Sequence, residues 1–448
     1  MAFYSNLNTQ IRPYLAGTIL ACFIIFFLTS GIHDEASGWT DLLHKPDFPD
    51  FGQFKRLETL PSEQFPHDDS KRIIAIGDIH GMNDSLHLLL SEVSYDPQQD
   101  TLIHLGDIIT KGPVKGSLAV LSYLSANKVK GVRGNNDQKV IEWRAWMDWI
   151  LSLPGGEEWL IQKDKNWPKH RNFYDSMYLG HDDAVDDAAN KHWGDRVPKG
   201  WAPLNKHYKV ARAMSRDHYN YLLSLPLIIY APAGHTYFVH AGLLPSDPHY
   251  RPTHPSQPLS HWPQMLQSEP DVEVLRGLQE LAILKDVPQN NDPYIVTNIR
   301  GVKKSNKITK SSSKGTPWAE IWNDIMGRCK GLDAVQGRSV SPSQFANFHV
   351  EFEANKGGSR PLPCYPSTIV YAHAATRGLD IKRWSVGLDS GCTYGRRLSA
   401  IILDKNSFNA SSSTFTPDSP TDESVPVHSH HIPYGDNGQA RILSVRCR

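Results

Sequence analysis

Apolar residues along this chain fall into short runs, and several of those runs stop at a polar group of one restricted kind. Ile73-Ile74-Ala75-Ile76 leads into Gly77-Asp78-Ile79-His80-Gly81. Thr101 to Leu105 leads into Gly106-Asp107, and Val129 to Arg133 leads into Gly134-Asn135-Asn136-Asp137. Thr236 to Val239 ends at His240, and Ser367 to Ala372 ends at His373. Short, largely apolar runs predict buried strands, and the helical patterns at Ser85–Ser91 and Leu118–Ala126 predict helices between them. Strand alternating with helix predicts an α/β fold whose parallel strands bring their C-terminal ends to one edge. Two later runs, Leu398–Leu403 and Ala440–Val445, predict a terminal hairpin. The Ser-, Thr- and Pro-rich stretch 405–438 between them reads as a long exposed loop, with His428-Ser429-His430-His431 solvated inside it.

The strand ends offer Asp78, His80, Asp107, Asn135, His240 and His373. Hard oxygens mixed with borderline imidazole nitrogens suit zinc, manganese or iron, and a shared sheet edge lets the groups converge. His104, earlier on its strand, reads as packed rather than ligating. This constellation resembles the calcineurin-like metallophosphoesterases, and within them the phosphoprotein-phosphatase and diadenosine-tetraphosphatase-like branch. The resemblance covers most of residues 71–404 and includes the run Gly387-Leu388-Asp389-Ser390-Gly391 through Ala400. It implies a central β-sandwich flanked by helices and a pair of divalent metal ions. Zinc is favoured, with manganese, iron or magnesium as alternatives. It further implies that Asp78 and His80 hold one ion, that Asp107 bridges, and that Asn135, His240 and His373 hold the second. Phosphoryl transfer would then follow in-line attack by a hydroxide held between the ions.

Two segments depart from that family's pattern. Where the phosphatases read Gly-Asp-x-Val-Asp-Arg-Gly and Gly-Asn-His-Glu, this chain has Gly106-Asp-Ile-Ile-Thr-Lys-Gly112 and Gly134-Asn-Asn-Asp137. The histidine that protonates the leaving group is replaced by Asn136, and the aspartate that orients it by Thr110. A serine or threonine alkoxide leaves poorly without a proton, whereas a phosphate leaving from an anhydride is already a stable anion. The departures therefore point away from protein phosphatase chemistry and toward phosphoanhydride cleavage. Asp107, Asn136, Lys111 and Arg300 are the expected catalytic positions. Lys111, Arg133, Arg300, Lys303 and Lys304 are the expected substrate-binding ones. The last three belong with Arg300–Lys314, a run of six cations and no acid that reads equally as a solvated loop or as a guide for a polyanion. With its Gly-Asn-Asn-Asp motif and an apolar N-terminal run, the chain is also similar to the fungal vacuolar zinc-dependent endopolyphosphatases. That similarity implies inorganic polyphosphate as substrate. Dinucleoside polyphosphate hydrolysis, protein dephosphorylation and phosphate binding without turnover are the alternatives.

At 448 residues and 40% hydrophobic composition the chain can bury a substantial core. Its formal net charge is zero, so no whole-molecule field draws in a polyanion and no nucleic-acid partner is expected. Tyr14–Ser30 is uncharged and apolar; as a helix it would reach about 26 Å, close to a ~30 Å hydrocarbon core. The expected organisation is a cytosolic tail at 1–13, a transmembrane signal anchor at 14–31 and a stalk at 32–70. A metallophosphoesterase domain at 71–448 follows, with insertions at about 140–205 and 250–345. A cleaved signal peptide is the alternative to the anchor. Arg12 before the run and Asp34 and Glu35 after it favour a single-pass type II protein of the vacuole membrane, with its catalytic domain lumenal. Cys329, Cys364, Cys392 and Cys447 show no CxxC spacing, and in a lumen they allow two disulfides in any of three connectivities. Asn409-Ala410-Ser411 is a glycosylation sequon. Trp143, Trp146, Trp149, Trp159, Trp167, Trp193 and Trp201 crowd the first insertion and read as the aromatic core of helices packed on the sheet, or as a substrate cap.

Overall fold

A computed structural model describes residues 48–166, 193–263, 271–331, 360–408 and 426–447. The expected anchor at 14–31, Trp167 and Asn409 lie outside the described residues. Among the described residues no helix is long and apolar enough to cross a membrane.

The strands are β1 (Lys55–Thr59), β2 (Arg72–Ile76), β3 (Asp100–His104), β4 (Lys130–Gly131), β5 (Pro226–Ala231), β6 (Thr236–Val239), β7 (Gly301–Val302), β8 (Ile308–Thr309), β9 (Thr316–Pro317), β10 (Thr368–Tyr371), β11 (Asp380–Lys382), β12 (Ser385–Gly387), β13 (Arg397–Leu403), β14 (Val427–Tyr434) and β15 (Gly438–Arg446). They form two six-stranded sheets, ordered β1-β5-β6-β10-β12-β11 and β14-β15-β13-β2-β3-β4, and a small sheet β8-β7-β9. The period of two along β2 explains why its apolar run is unbroken. Ile73 and Ala75 face the space between the sheets with Ile229, Phe238, Val370 and Ile401. Ile74 and Ile76 face the other way, onto Leu86, Leu89 and Leu121 of the Asn83–Glu92 and Val114–Ala126 helices. Both faces are dry, so neither tolerates polar alternation.

The sheets are mixed rather than wholly parallel. β2, β3 and β4 run parallel, but β13 pairs antiparallel with β2 and β15 antiparallel with β13. In the other sheet β6, β10 and β12 run parallel, while β5 runs antiparallel to β6 and β11 antiparallel to β12. The parallel segments are the ones that end in the polar residues.

Two expectations change. The domain does not begin near Lys71. β1 pairs in parallel with β5, and Phe48 packs edge-on against Trp149 at 5.1 Å, so residues from Phe48 onward are built into the domain rather than into a stalk. The stretch 405–438 is not all loop, because Val427–Tyr434 pairs along its whole length with β15. His428–His431 thus lie on an edge strand, with Arg397 Nη2 2.9 Å from His428 Nε2. The cysteines pair as Cys329–Cys364 and Cys392–Cys447. Among the described tryptophans of the first insertion, Trp143 and Trp146 are buried on the Asn135–Leu151 helix, Trp159 is buried and stacks on the buried Trp193, and the partly buried Trp201 packs on Trp143.

Candidate metal centre

Each polar group sits where a strand ends and the backbone must turn. His80, Asp107 and His373 have φ of 49°, 49° and 69°, in the left-handed region that side chains with a Cβ normally avoid. Thr110 and Lys111 share it, at 70° and 48°. Strain gathered at one place is a mark of a functional site. Two glycines let the loops after β3 and β4 meet main chain to main chain. A Cβ on Gly134 would lie 2.2 Å from the Asp107 nitrogen, and one on Gly106 would lie 2.6 Å from the Gly134 nitrogen.

The convergence is close. Asp78, His80 and Asp107 bring one ligand atom each within 4.8 Å of one another, and so do Asp107, His240 and His373. Asp107 belongs to both groups and is fully buried. Asn135 joins the second group, its Oδ1 lying 3.1 Å from His240 Nε2.

These residues fit two cations. His240 turns Nδ1 to the Leu105 carbonyl at 2.8 Å, which leaves the Nε2 lone pair inward. That lone pair faces Asn135 Oδ1, Asp107 Oδ1 at 3.5 Å and His373 Nδ1 at 3.1 Å, a cluster of electron-pair donors in a buried space. His80 likewise turns Nδ1 to the Ile109 carbonyl at 3.1 Å. Its Nε2 meets Asp78 Oδ2 at 3.4 Å and the Lys111 ammonium at 2.8 Å, so a positive charge already rests on that lone pair. Asp78 Oδ1 accepts from the His373 backbone N–H at 3.1 Å, and among the described residues its buried Oδ2 has no hydrogen-bond donor. An orphaned carboxylate oxygen and facing lone pairs are what a cation resolves. Divalent ions bound here supply Lewis-acid charge for phosphoryl oxygens and acidify water.

The electrostatics agree. Burial alone would raise the Asp107 carboxyl, but the charges of His240, His80 and Lys111 hold it well below the carboxylate range. Burial also opposes ionisation of Asp78, and the adjacent His80 ring overrides it. For His80, burial is outweighed by Asp78 and Asp107, and its pKa is raised. Burial, then His240, push His373 down to about 3, which keeps it neutral.

Of the other expected residues, Arg300 is in the site: Nε lies 3.2 Å from His373 Nε2 and Nη2 bonds the His373 carbonyl at 3.0 Å. Asn136 gives both its backbone N–H and its Nδ2 to Asp107, at 2.8 and 2.6 Å. Lys303 and Lys304 are exposed on the β7–β8 hairpin that rises from Arg300. Arg133 is a correction. It is buried, lies over the Phe54 ring, and spends its guanidinium on Gln138 and on the Leu223 and Gln53 carbonyls, so it is a structural clamp and not a substrate ligand. His104 is packed as expected, bonded to the Tyr221 hydroxyl at 2.8 Å.

Three residues at the centre were not anticipated. Asp137 accepts the backbone N–H groups of Gly134, Asp107 and Ile108, which braces the two touching loops. Burial and the nearby Asp107 push it up to about 7. Asp389, just past β12, is buried, and burial together with the charge of Asp78 raises it well above the usual range. His207 comes from the Lys206–Ala213 helix and bonds Asn136 Oδ1 through Nε2 at 2.8 Å. Asp137 and Asp389 stand inside the strand-end motifs and were visible there, whereas His207 has no motif to betray it.

Residues 71–275 match the calcineurin-like phosphoesterase family model. A serine/threonine-protein phosphatase 1 of Salmonella typhimurium is 36% identical over 105 residues, 23% of this chain and 48% of that protein. A symmetrical bis(5'-nucleosyl)-tetraphosphatase of Klebsiella pneumoniae is 47% identical over 64 residues, 14% of this chain and 22% of that protein. The chain thus spans half or less of the length of these curated relatives. A solved structure assigned as a diadenosine tetraphosphatase covers 78% of this chain and 94% of its own at 22% identity and a TM-score of 0.40, too loose to weigh. The shared Asp107, at the meeting point of both ligand groups, lies inside the matched segment, so over residues 71–275 the chain is similar to the calcineurin-like phosphoesterases.

Proposed function

We propose that this chain hydrolyses phosphoanhydride bonds of inorganic polyphosphate, using zinc, and that it cuts within the polymer. The observation that carries the reading is the amide at position 136. Asn136 stands against the bridging carboxylate at 2.6 Å and can donate a hydrogen bond, but it has no proton to transfer to a leaving alkoxide. General acid catalysis is worth roughly 10²- to 10⁴-fold, and a phosphate leaving group does without it. The cationic surroundings support a polyanionic substrate. Lys111 and Arg300 flank the ligand groups, and the exposed lysines of the β7–β8 hairpin extend positive charge outward from Arg300.

Hydrolysis of dinucleoside polyphosphates is the second reading, favoured by the relatives named as tetraphosphatases; it breaks the same kind of bond. We further propose an N-terminal membrane anchor at 14–31 and a lumenal catalytic domain in the vacuole, a placement supported by the two disulfides. The test is the purified catalytic domain with zinc, manganese or magnesium, offered long-chain polyphosphate, diadenosine tetraphosphate and a phosphoserine peptide. Polyphosphate should shorten to intermediate lengths, and the peptide should react roughly 10²- to 10⁴-fold more slowly. Efficient peptide hydrolysis overturns the anhydride reading. Preference for the dinucleotide moves the substrate to the second reading, and release of single phosphates from long chains removes internal cleavage.

A further inference from the structure

Asn136 accounts for nearly all of its amide. One Nδ2–H goes to Asp107 Oδ2 at 2.6 Å, and a carboxylate oxygen at that distance calls for a donor. The Asn136 oxygen therefore faces His207, and His207 must present Nε2–H to it across 2.8 Å. Among the described residues the second Nδ2–H of Asn136 has no partner. Meanwhile the Thr110 hydroxyl, at the position where the family pattern carries an orienting aspartate, is fully buried and has no partner among the described residues.

His207 is well placed to hold something still. Its helix is capped by Asn205, whose side chain accepts the Tyr208 N–H at 2.9 Å. Tyr208, Val210 and Ala211 are buried, and the Tyr208 ring meets Trp143 of the Asn135–Leu151 helix at 5.4 Å. The preceding residue, Lys206, bonds the Lys111 carbonyl. Adjacent residues of one helix, which directly follows the first insertion, thus reach both loops of the centre, the one after β3 and the one after β4.

We infer that His207 is a positioning residue: it locks the Asn136 amide so that one N–H holds the bridging Asp107 and the other is presented to the substrate. The orienting role that the family pattern gives to position 110 is supplied here by that helix, from a different part of the chain. An N–H stabilises a departing phosphate by hydrogen bonding without proton transfer, which suits an anhydride. The inference deepens the phosphoryl-transfer reading and does not rest on polyphosphate being the substrate. Its test accordingly uses p-nitrophenyl phosphate, an activated ester that any member of this chemistry should accept.

In His207→Ala, kcat should fall roughly tenfold, the order expected for a lost hydrogen bond at the reacting group, with KM and bound metal little changed. His207→Gln restores a donor and should recover most of the rate. His207→Glu, which offers an acceptor, should not. On an Asn136→Ala background, His207→Ala should cost nothing further. A full effect on that background would make His207 a packing residue only and overturn the proposal. Loss of an alkaline limb of the kcat–pH profile in His207→Gln would also overturn it, since His207 would then be the proton donor itself. A readout without turnover separates this from failure of the proposed function. In metal-free protein labelled with ¹⁵N-histidine, His207 should be the Nε2–H tautomer, and its signal should move in Asn136→Ala. An Nδ1–H tautomer sinks the inference whatever the enzyme hydrolyses.

Discussion

Replacing Asp107 by asparagine keeps the volume and removes the charge, and the structure dictates why this should be severe. Both carboxylate oxygens already accept from Asn136, Oδ1 from the backbone N–H at 2.8 Å and Oδ2 from Nδ2 at 2.6 Å. Whichever way the new amide turns, its NH₂ meets one of those donors. Rotating Asn136 to relieve the clash would set its NH₂ against His207 instead. A buried donor left unmatched costs about 1–3 kcal/mol, and escaping it requires both the Asn136 flip and transfer of the His207 proton to Nδ1. Loss of the anion costs more. A unit charge pair ~4 Å apart is worth about 4 kcal/mol at an effective dielectric of 20, and a divalent ion forfeits at least that order. Since 1.4 kcal/mol is tenfold, each ion should bind at least ~10²- to 10³-fold more weakly. Turnover of p-nitrophenyl phosphate should fall by ~10³ or more, because the two groups of ligands lose their common member. Metal per chain, measured by elemental analysis after gel filtration, should drop below two. A variant that keeps two ions and turns over within tenfold of wild type would refute the bridging role.

Arg133→Ala should destabilise the fold by about 2–4 kcal/mol by denaturant titration, since it strands buried acceptors, while kcat/KM on the aryl phosphate stays within about twofold. Replacing Lys303, Lys304, Lys307 and Lys310 by glutamine should raise KM for long polyphosphate without changing kcat on the aryl phosphate, an effect that fades as salt shortens the screening length to about 10 Å at ~0.1 M. An unchanged KM at low salt would remove the hairpin from binding. The last prediction concerns pH. The raised pKa of His80 stabilises the metal-free fold below the unfolded value, and that contribution is lost as pH rises through the folded value. Metal binding needs the neutral ring, so its affinity moves oppositely and falls on acidification. The gap in melting temperature between metal-loaded and metal-free protein should therefore narrow from about pH 8 to about pH 6. A constant gap would count against His80 as a ligand.

Strands buried on both faces are the legible part of this fold, because every side chain of β2 beyond Arg72 must be apolar and the polar ligands stand out where the run stops. Edge strands are not. β1 reads Lys-Arg-Leu-Glu-Thr and β14 reads Val-His-Ser-His-His-Ile-Pro-Tyr, sequences held in place by backbone pairing on one side and open to water elsewhere. Ile432 and Tyr434 of β14 are buried in the core, and Val427 packs at its edge. Arg133 misled by its neighbours. It precedes the Gly134-Asn135 motif, but Val132 points between the sheets and Arg133 therefore takes the other side, toward Leu223 and Gln53. Linear spacing leaves three cysteine pairings open, and the fold selects Cys329–Cys364 and Cys392–Cys447. His207 reaches the centre from a helix that follows the first insertion, and nothing in linear spacing records that meeting.

The contact between Gly106 and Gly134 makes the main chain the gauge of this metal centre. The loop bearing Asp107 and the loop bearing Asn135 rest directly on each other, so their separation is a backbone thickness rather than a side-chain length. Exchanging one ligand for another would alter which ion is preferred while leaving that separation alone. Adding so much as a methyl group to Gly134 would do the reverse, wedging the loops apart with every ligand intact. Metal choice and metal spacing are thus written in different residues, and the second is held by two that have no side chain at all.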